Sequence, residues 1–205
     1  MANHELTSMK LDILKEIGNI GAGNATTALS VMLDSNLRME VPVVKFVDFN
    51  EISDMVGGPE TIVAAVLTHF TGELQGMTLF ILEFEEAKNL AGTMLSKTYP
   101  EDFQEFDHMD KSALKEVGNI LMSSYISSIG TLTNLQLRTE PPAICVDMAG
   151  AVLSLPISEL GQVSDQALII DSKFLDNQRP INGFLMFVTD ELSFEHIFES
   201  LGIGC

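Results

Sequence analysis

Two stretches of the sequence, one hundred positions apart, show how the chain is organised: MKLDILKEIGNI at residues 9–20 and MDKSALKEVGNI at residues 109–120. The similarity extends beyond them, and 11 of the 34 positions in residues 9–42 are identical to their counterparts in residues 109–142 without a gap. A period of half the chain is too long for the unit of a solenoid. It is typical of an internal duplication whose two copies fold together.

The duplication divides a chain of 205 residues, a length typical of one domain or of two small ones. We predict a single domain over residues 1–205, made of two homologous halves at residues 1–105 and 106–205. An acidic segment at residues 99–110 is predicted to connect the halves. Its acidic side chains, from Glu101 to Asp110, are interpreted as a solvent-exposed face.

Each copy of the repeat has the periodicity of an amphipathic helix, over residues 9–33 and 112–130. At 100° per residue, apolar positions fall on one side of the helix and polar positions on the other. Residues three and four apart are neighbours on a helix surface, so each copy presents a Glu and an Asn side by side. The outward polar positions shared by the copies are Asp12, Glu16 and Asn19 in the first, and Ser112, Glu116 and Asn119 in the second.

Apolar runs typical of strands follow each helix, and Pro42 and Pro142 precede the first run of each half, where a missing N–H is tolerated. The predicted strands are residues 43–47, 61–68, 77–84, 143–146, 151–156, 167–171 and 183–189, and further helical patterns cover residues 85–95 and 191–201. The predicted class is α/β of the α+β type: a largely antiparallel sheet with pseudo-two-fold symmetry and paired motif-bearing helices.

The charge composition argues against several kinds of partner. There are 29 acidic residues against 11 Lys and Arg, a formal net charge of −18. Nucleic acids and anionic membrane surfaces are bound through Lys and Arg, so we predict no nucleic-acid binding and no membrane insertion. The N-terminus lacks the basic and apolar regions of a signal peptide, and we expect a soluble, cytoplasmic protein.

Familiar catalytic arrangements are missing from the sequence. The four histidines have no metal-ligand spacing with each other or with a cysteine, so no metal site is predicted. Cys145 lies in an apolar run, where a buried and inert thiol is expected. The glycines at positions 18, 21 and 23 lie inside a helical pattern and in the order of no nucleotide-binding loop. Close packing of helix on helix or helix on sheet is the favoured interpretation of these glycines.

The duplicated Glu and Asn therefore remain as the candidate site. A carboxylate can pair with a Lys or Arg of a partner, and a carboxamide has both a donor and an acceptor but does not titrate near neutral pH. Such a carboxamide can orient a water molecule, as the glutamine of small GTPases does toward a phosphoryl group. Hydrolysis of a labile phosphate on a partner protein and simple docking of that partner are both compatible with this face.

The sequence resembles a known family, the CheC/CheX/FliY phosphatases, whose signature is [D/S]-x-x-x-E-x-x-N followed after a fixed gap by a proline. Both copies match it, as Asp12, Glu16, Asn19 and Pro42, and as Ser112, Glu116, Asn119 and Pro142. The resemblance implies hydrolysis of the aspartyl phosphate of CheY, the chemotaxis response regulator. It implies that Asn19 and Asn119 position the attacking water and that Glu16 and Glu116 pair with a lysine beside the phosphoaspartate. The other four residues are expected to have structural or capping roles.

The number of motifs makes the chain similar to the CheC type within that family, since CheX carries one motif and FliY an additional switch domain. This likeness implies a second partner, the receptor deamidase CheD. It also implies no cofactor of the protein's own, because Mg²⁺ is expected in the response regulator. Two alternatives stay open: a non-catalytic adaptor that binds CheY and CheD, and a duplicated domain whose Glu and Asn faces are incidental.

Overall fold

The computed structural model of the chain describes residues 8–33, 38–39, 43–160, 166–175 and 180–202. In chain order the elements are α1 (Ser8–Leu33), β1 (Arg38–Met39), β2 (Val43–Asp48), α2 (Phe49–Met55), β3 (Ile62–Gly72), β4 (Gly76–Glu83), α3 (Phe84–Leu95), α4 (His108–Thr133), β5 (Leu137–Thr139), β6 (Ala143–Met148), α5 (Ala149–Leu160), β7 (Gln166–Leu175), β8 (Pro180–Thr189) and α6 (Glu191–Ser200).

The eight strands form one sheet, and every strand pair in the described part of the chain is antiparallel. The order is β1-β7-β8-β4-β3-β5, with β2 also pairing with β7 and β6 with β3. The two halves exchange strands, because β1 and β2 of the first half pair with β7 while β5 and β6 of the second half pair with β3. The predicted antiparallel sheet and its duplicated plan are confirmed.

Helices cover the sheet on both faces. In β3, Ala64 and Val66 face the larger core, which α1, α3, α4 and α6 complete. Val63 and Ala65 face the smaller core under α2 and α5. A strand that is buried on both faces needs no polar alternation, which explains the apolar runs of the sequence. The described residues include no helix that is both long and apolar enough to cross a bilayer.

One predicted strand is wrong, because residues 151–156 lie in helix α5. Its buried positions are Ala149, Val152, Leu153 and Pro156, and this i, i+3, i+4, i+7 spacing places them on a single helix face. A six-residue apolar run does not distinguish a strand from a buried helical turn. The short helix α2 occupies the corresponding place in the first half and was not predicted.

Two aspartates of the acidic connection between the halves belong to a hydrogen-bonded cluster at the start of α4. Asp107 is the N-cap of α4 and forms a capping box with Asp110, which is only 1% exposed. Lys97 Nζ lies 2.8 Å from Asp110 Oδ1 and 3.1 Å from Asp107 Oδ2. The Tyr99 hydroxyl donates to Asp110 Oδ1 at 2.7 Å. The interpretation as a solvated face is therefore wrong for Asp110, whose charge a helix N-terminus and Lys97 compensate. It holds for Asp107, which is exposed although it caps the helix.

The same contacts set the protonation of this cluster. Burial would raise the pKa of Asp110, but the hydrogen bonds from Lys97, Tyr99 and the Asp107 backbone outweigh it and hold that pKa below its usual value. The hydrogen bonds from the Asp110 backbone and from Lys97 likewise lower the pKa of Asp107. Both carboxylates are thus charged at neutral pH and hold the first turn of α4 in place.

The close approach predicted for the glycines is confirmed at Gly21, and Gly118, for which none was predicted, provides another. A β-carbon on Gly21 of α1 would lie 2.6 Å from the ring of Tyr125 on α4, and one on Gly118 of α4 would lie 2.7 Å from Val66 on β3. The first is a contact of helix on helix and the second of helix on sheet. Gly23 has no atom within 4 Å of such a β-carbon, so the packing interpretation is wrong there.

Candidate functional site

The duplicated polar residues lie on the solvent-facing sides of α1 and α4. All are exposed except Asn119, which is half-buried; the described set is Asp12, Glu16, Asn19, Ser112, Glu116 and Asn119. The outward direction predicted from helical periodicity is therefore confirmed for both copies.

Buried neighbours fix the rotation of each motif helix. Leu14 and Ile17 of α1 lie in the larger core, as do Leu114 and Val117 of α4. These positions flank the glutamate in each copy, so burying them turns the glutamate and the asparagine three residues later toward solvent. The apolar half of each repeat thereby orients its polar half.

The glutamates and asparagines have no side-chain partner within the described part of the chain. No ion pair there joins Glu16 or Glu116 to a cation, and no hydrogen bond there uses the carboxamide of Asn19 or Asn119. The backbone carbonyl of Asn119 accepts a hydrogen bond from the Ser123 hydroxyl. The four side chains are thus available to a partner protein.

The remaining motif residues have less distinct surroundings. Asp12 lies 3.6 Å from Lys15 on the same helix, with both side chains exposed, an arrangement that contributes little stability. Ser112 does not cap α4, because Asp107 occupies the N-cap, so the capping role is excluded for it. Pro142 is half-buried directly before β6. Pro42 lies outside the described residues.

The two copies differ in the turn that follows the asparagine. Gly23 is exposed with open space above it, whereas the Ser123 hydroxyl at the same aligned position bonds back to its own helix at Asn119 and Ile120. The side chain of Asn24 reaches Ser128 of α4 at 3.5 Å. The α1 copy therefore offers more room for the backbone of a partner beside its asparagine than the α4 copy does.

Neither a metal-binding cluster nor an activated cysteine is present among the described residues. No group of three or more His, Cys, Asp or Glu side chains in the described ranges could hold a metal ion. Cys145 is half-buried, with its Sγ 3.8 Å from the carbonyl of Ala65. Burial, with a smaller effect of Asp147, raises the pKa of its thiol, which agrees with the predicted inert role.

One feature that supports the second copy was not predicted: the cluster of Lys97, Tyr99, Asp107 and Asp110 at the start of α4. A signal for it exists in the sequence, since Asp107 and Asp110 have the three-residue spacing of a capping box. Because other acidic residues surround Asp107 and Asp110, their spacing was not interpreted as a capping box. The cluster fixes the first turn of α4, about one turn before Ser112 and two turns before Glu116.

Comparison with known proteins adds independent information. The model of the CheC-like family matches residues 9–46 and 109–146. The CheY-P phosphatase CheC of Bacillus subtilis is 38% identical over 197 residues, which are 94% of each chain. The crystal structure of Thermotoga maritima FliY superposes with a TM-score of 0.76 at 20% identity, covering 97% of this chain and 98% of that one. A chain of the CheX–CheY–BeF3–Mg²⁺ complex of Borrelia burgdorferi has a TM-score of 0.52 at 17% identity, covering 83% and 96%.

Proposed function

Since the chain belongs to the CheC-like family, we propose that it is a chemotaxis phosphatase that hydrolyses the aspartyl phosphate of a CheY-type response regulator. The similarity to a CheY-P phosphatase along nearly the whole chain supports the enzyme class. The observation that carries the proposal is the pair of exposed Glu and Asn faces, which have equal positions in the two halves and no side-chain partner among the described residues.

Asn19 and Asn119 would act by positioning water. A carboxamide can accept a hydrogen bond from a water molecule and donate one to a phosphoryl oxygen, but it is too weak a base to remove a proton. The water oxygen forms its bond to phosphorus while the bond from phosphorus to the aspartyl oxygen breaks. The aspartate leaves as a carboxylate, and the protons of the water stay on the inorganic phosphate or pass to solvent. Because an acyl phosphate is already labile, orientation of the water is a sufficient contribution.

Glu16 and Glu116 would hold the regulator in register. Each is exposed one helical turn from its asparagine, where a lysine beside the phosphoaspartate could pair with it. An exposed ion pair contributes at most about 1 kcal/mol, so its main effects are orientation and the rate of encounter. The net charge of −18 favours a partner that presents a basic group over one that presents only phosphate.

No cofactor of the protein's own enters this mechanism. The Mg²⁺ that neutralises the phosphoryl group would belong to the regulator, so the phosphatase would supply a carboxamide and a docking surface only. The cytoplasm is the proposed location, because the response regulator acts there. CheD is proposed as a second partner on the strength of the family likeness.

A second function, a non-catalytic adaptor for CheY and CheD, is favoured by one observation: an exposed glutamate that has no partner among the described residues serves docking as well as catalysis. The decay of phosphate from a phosphorylated regulator, measured with and without this protein, separates the two. Faster decay supports the phosphatase. A stable complex with unchanged or slower decay supports the adaptor, and the absence of both effects rejects the two proposals together.

A further inference from the structure

A methionine precedes the motif in each half. Met9 and Met109 occupy the same aligned position and are 59% and 58% exposed. Each lies seven residues, or two helical turns, before the glutamate of its copy, so it projects from the same helix face as that glutamate. Both motif helices therefore present a continuous stripe of methionine, Asp or Ser, glutamate and asparagine.

Single exposed apolar residues are ordinary on protein surfaces, but this pair is distinguished by its repetition. Neither methionine packs against the two cores of the described residues. Val31 of α1 is 79% exposed, yet its aligned counterpart is Thr131. Methionine accounts for only 11 of the 205 residues. An unbranched apolar side chain kept in both copies, without a role in the core, indicates a shared surface function.

The two methionines also lie on turns that other contacts hold in place. In the second copy Met109 lies between Asp107 and Asp110, and the backbone N–H of Asp110 donates to the carboxylate of Asp107 at 2.9 Å within the capping box that these two residues form. In the first copy the ammonium of Lys10, the residue after Met9, lies 4.8 Å from the ring centroid of Phe198 on α6. Each exposed side chain is thus presented from an anchored first turn.

We propose that Met9 and Met109 are positioning residues that make an apolar contact with the phosphorylated regulator two helical turns before each glutamate. This inference rests on the proposed function. An exposed ion pair alone contributes little to affinity, whereas a flexible thioether packs well against irregular partner surfaces. Burial of the methionine would supply affinity and set the regulator over the asparagine, which supplies the rate.

The test is a separation of KM from kcat for the phosphorylated regulator. We expect the double variant Met9→Ala/Met109→Ala to raise KM about tenfold through the lost apolar burial, with kcat within about twofold of wild type. The double variant Met9→Leu/Met109→Leu keeps the apolar volume and should restore most of the KM. Val31→Ala removes an exposed apolar side chain of α1 away from the motif and should leave both constants unchanged.

The outcomes separate this inference from the function on which it rests. If wild-type protein is active and the double alanine variant keeps its KM, or loses kcat alone, the positioning role is overturned and the phosphatase stands. If wild-type protein is inactive, the proposed chemistry fails, and the affinity for the regulator bound to beryllofluoride and Mg²⁺ decides the docking role. Weaker binding by the alanine variant then supports the methionine contact, and unchanged or absent binding overturns it.

Discussion

The ring of Tyr125 on α4 lies so close to Gly21 on α1 that a β-carbon at position 21 would be 2.6 Å from its Cδ1 atom. Tyr125 is among the largest fully buried side chains of the molecule. At this crossing, a glycine on one motif helix admits an aromatic ring from the other. The contact fixes how the two helices pack, and therefore how their two exposed faces are directed.

Gly21→Ala should destabilise the protein, by about 1–3 kcal/mol, because the added methyl group overpacks the crossing. Gly23→Ala, two residues along the same helix, has open space above it and should stabilise by up to about 1 kcal/mol through helix propensity. Urea denaturation of wild type and both variants measures these differences in the free energy of unfolding. Equal stability of Gly21→Ala and wild type would show that the helices can separate at no cost.

The aspartate cluster at the start of α4 should make stability depend on pH in the acid range. The pKa values of Asp107 and Asp110 are lowered from 3.8, so their stabilisation is present above about pH 4 and is lost as the pH falls through the lowered values. Asp110→Asn should cost about 1–3 kcal/mol at pH 7, because it removes charged hydrogen bonds to a buried group.

The measurement is the difference in the free energy of unfolding between wild type and Asp110→Asn, taken from pH 7 down to pH 3. This difference should shrink below about pH 4, because the carboxylate then binds a proton in the unfolded chain before it does so in the folded protein. A difference that stays constant over the range would mean that Asp110 is not the charged group we describe.

Strand exchange should prevent either half from folding as a monomer. We propose that residues 1–105 and 106–205 form one domain, since β3 takes its outer neighbours from the second half and β7 takes its outer neighbours from the first. Each fragment expressed alone should be unfolded or self-associated, and mixing the fragments should restore cooperative unfolding measured by circular dichroism. A fragment that unfolds cooperatively as a monomer would argue for two independent domains.

Charge reversal should separate specific pairing from the general effect of the acidic surface. Glu16→Lys/Glu116→Lys should lower kcat/KM for the phosphorylated regulator by about tenfold or more, because like charges then meet at the docking face. Glu101→Lys/Glu105→Lys changes the net charge equally on exposed residues of the connection and should have at most about a twofold effect. Equal losses of kcat/KM in the two double variants would mean that Glu16 and Glu116 act only through the general electrostatic attraction of the acidic surface.

Helical periodicity and the repeat were sufficient to predict the motif helices and their outward faces, because Leu14, Ile17 and their counterparts bury one side of each helix. The pairing of the strands could not be predicted in this way, because the local sequence pattern shows which residues are buried but not which half supplies the neighbouring strand. The burial of Asp110 was not predicted because its compensating groups, Lys97 and Tyr99, precede the acidic side chains of the connection. Gly21 and Gly23 are alike in sequence, and only the position of Tyr125 distinguishes them.

Water positioning by the two asparagines is best examined through the phosphate decay of a phosphorylated regulator at saturating protein, for wild type, Asn19→Ala, Asn119→Ala and the double variant. Asn182→Ala serves as the control, because Asn182 is an exposed asparagine of β8 that bonds Glu86 at 3.0 Å away from the motifs. A well-placed polar group contributes roughly 10²–10³ in rate.

We expect each single variant to keep the activity of its remaining site, and the double variant to bind the regulator while its phosphate decays at the regulator's own rate. The control should match wild type. Wild-type acceleration by the double variant would contradict the assignment of Asn19 and Asn119 as the residues that position the attacking water.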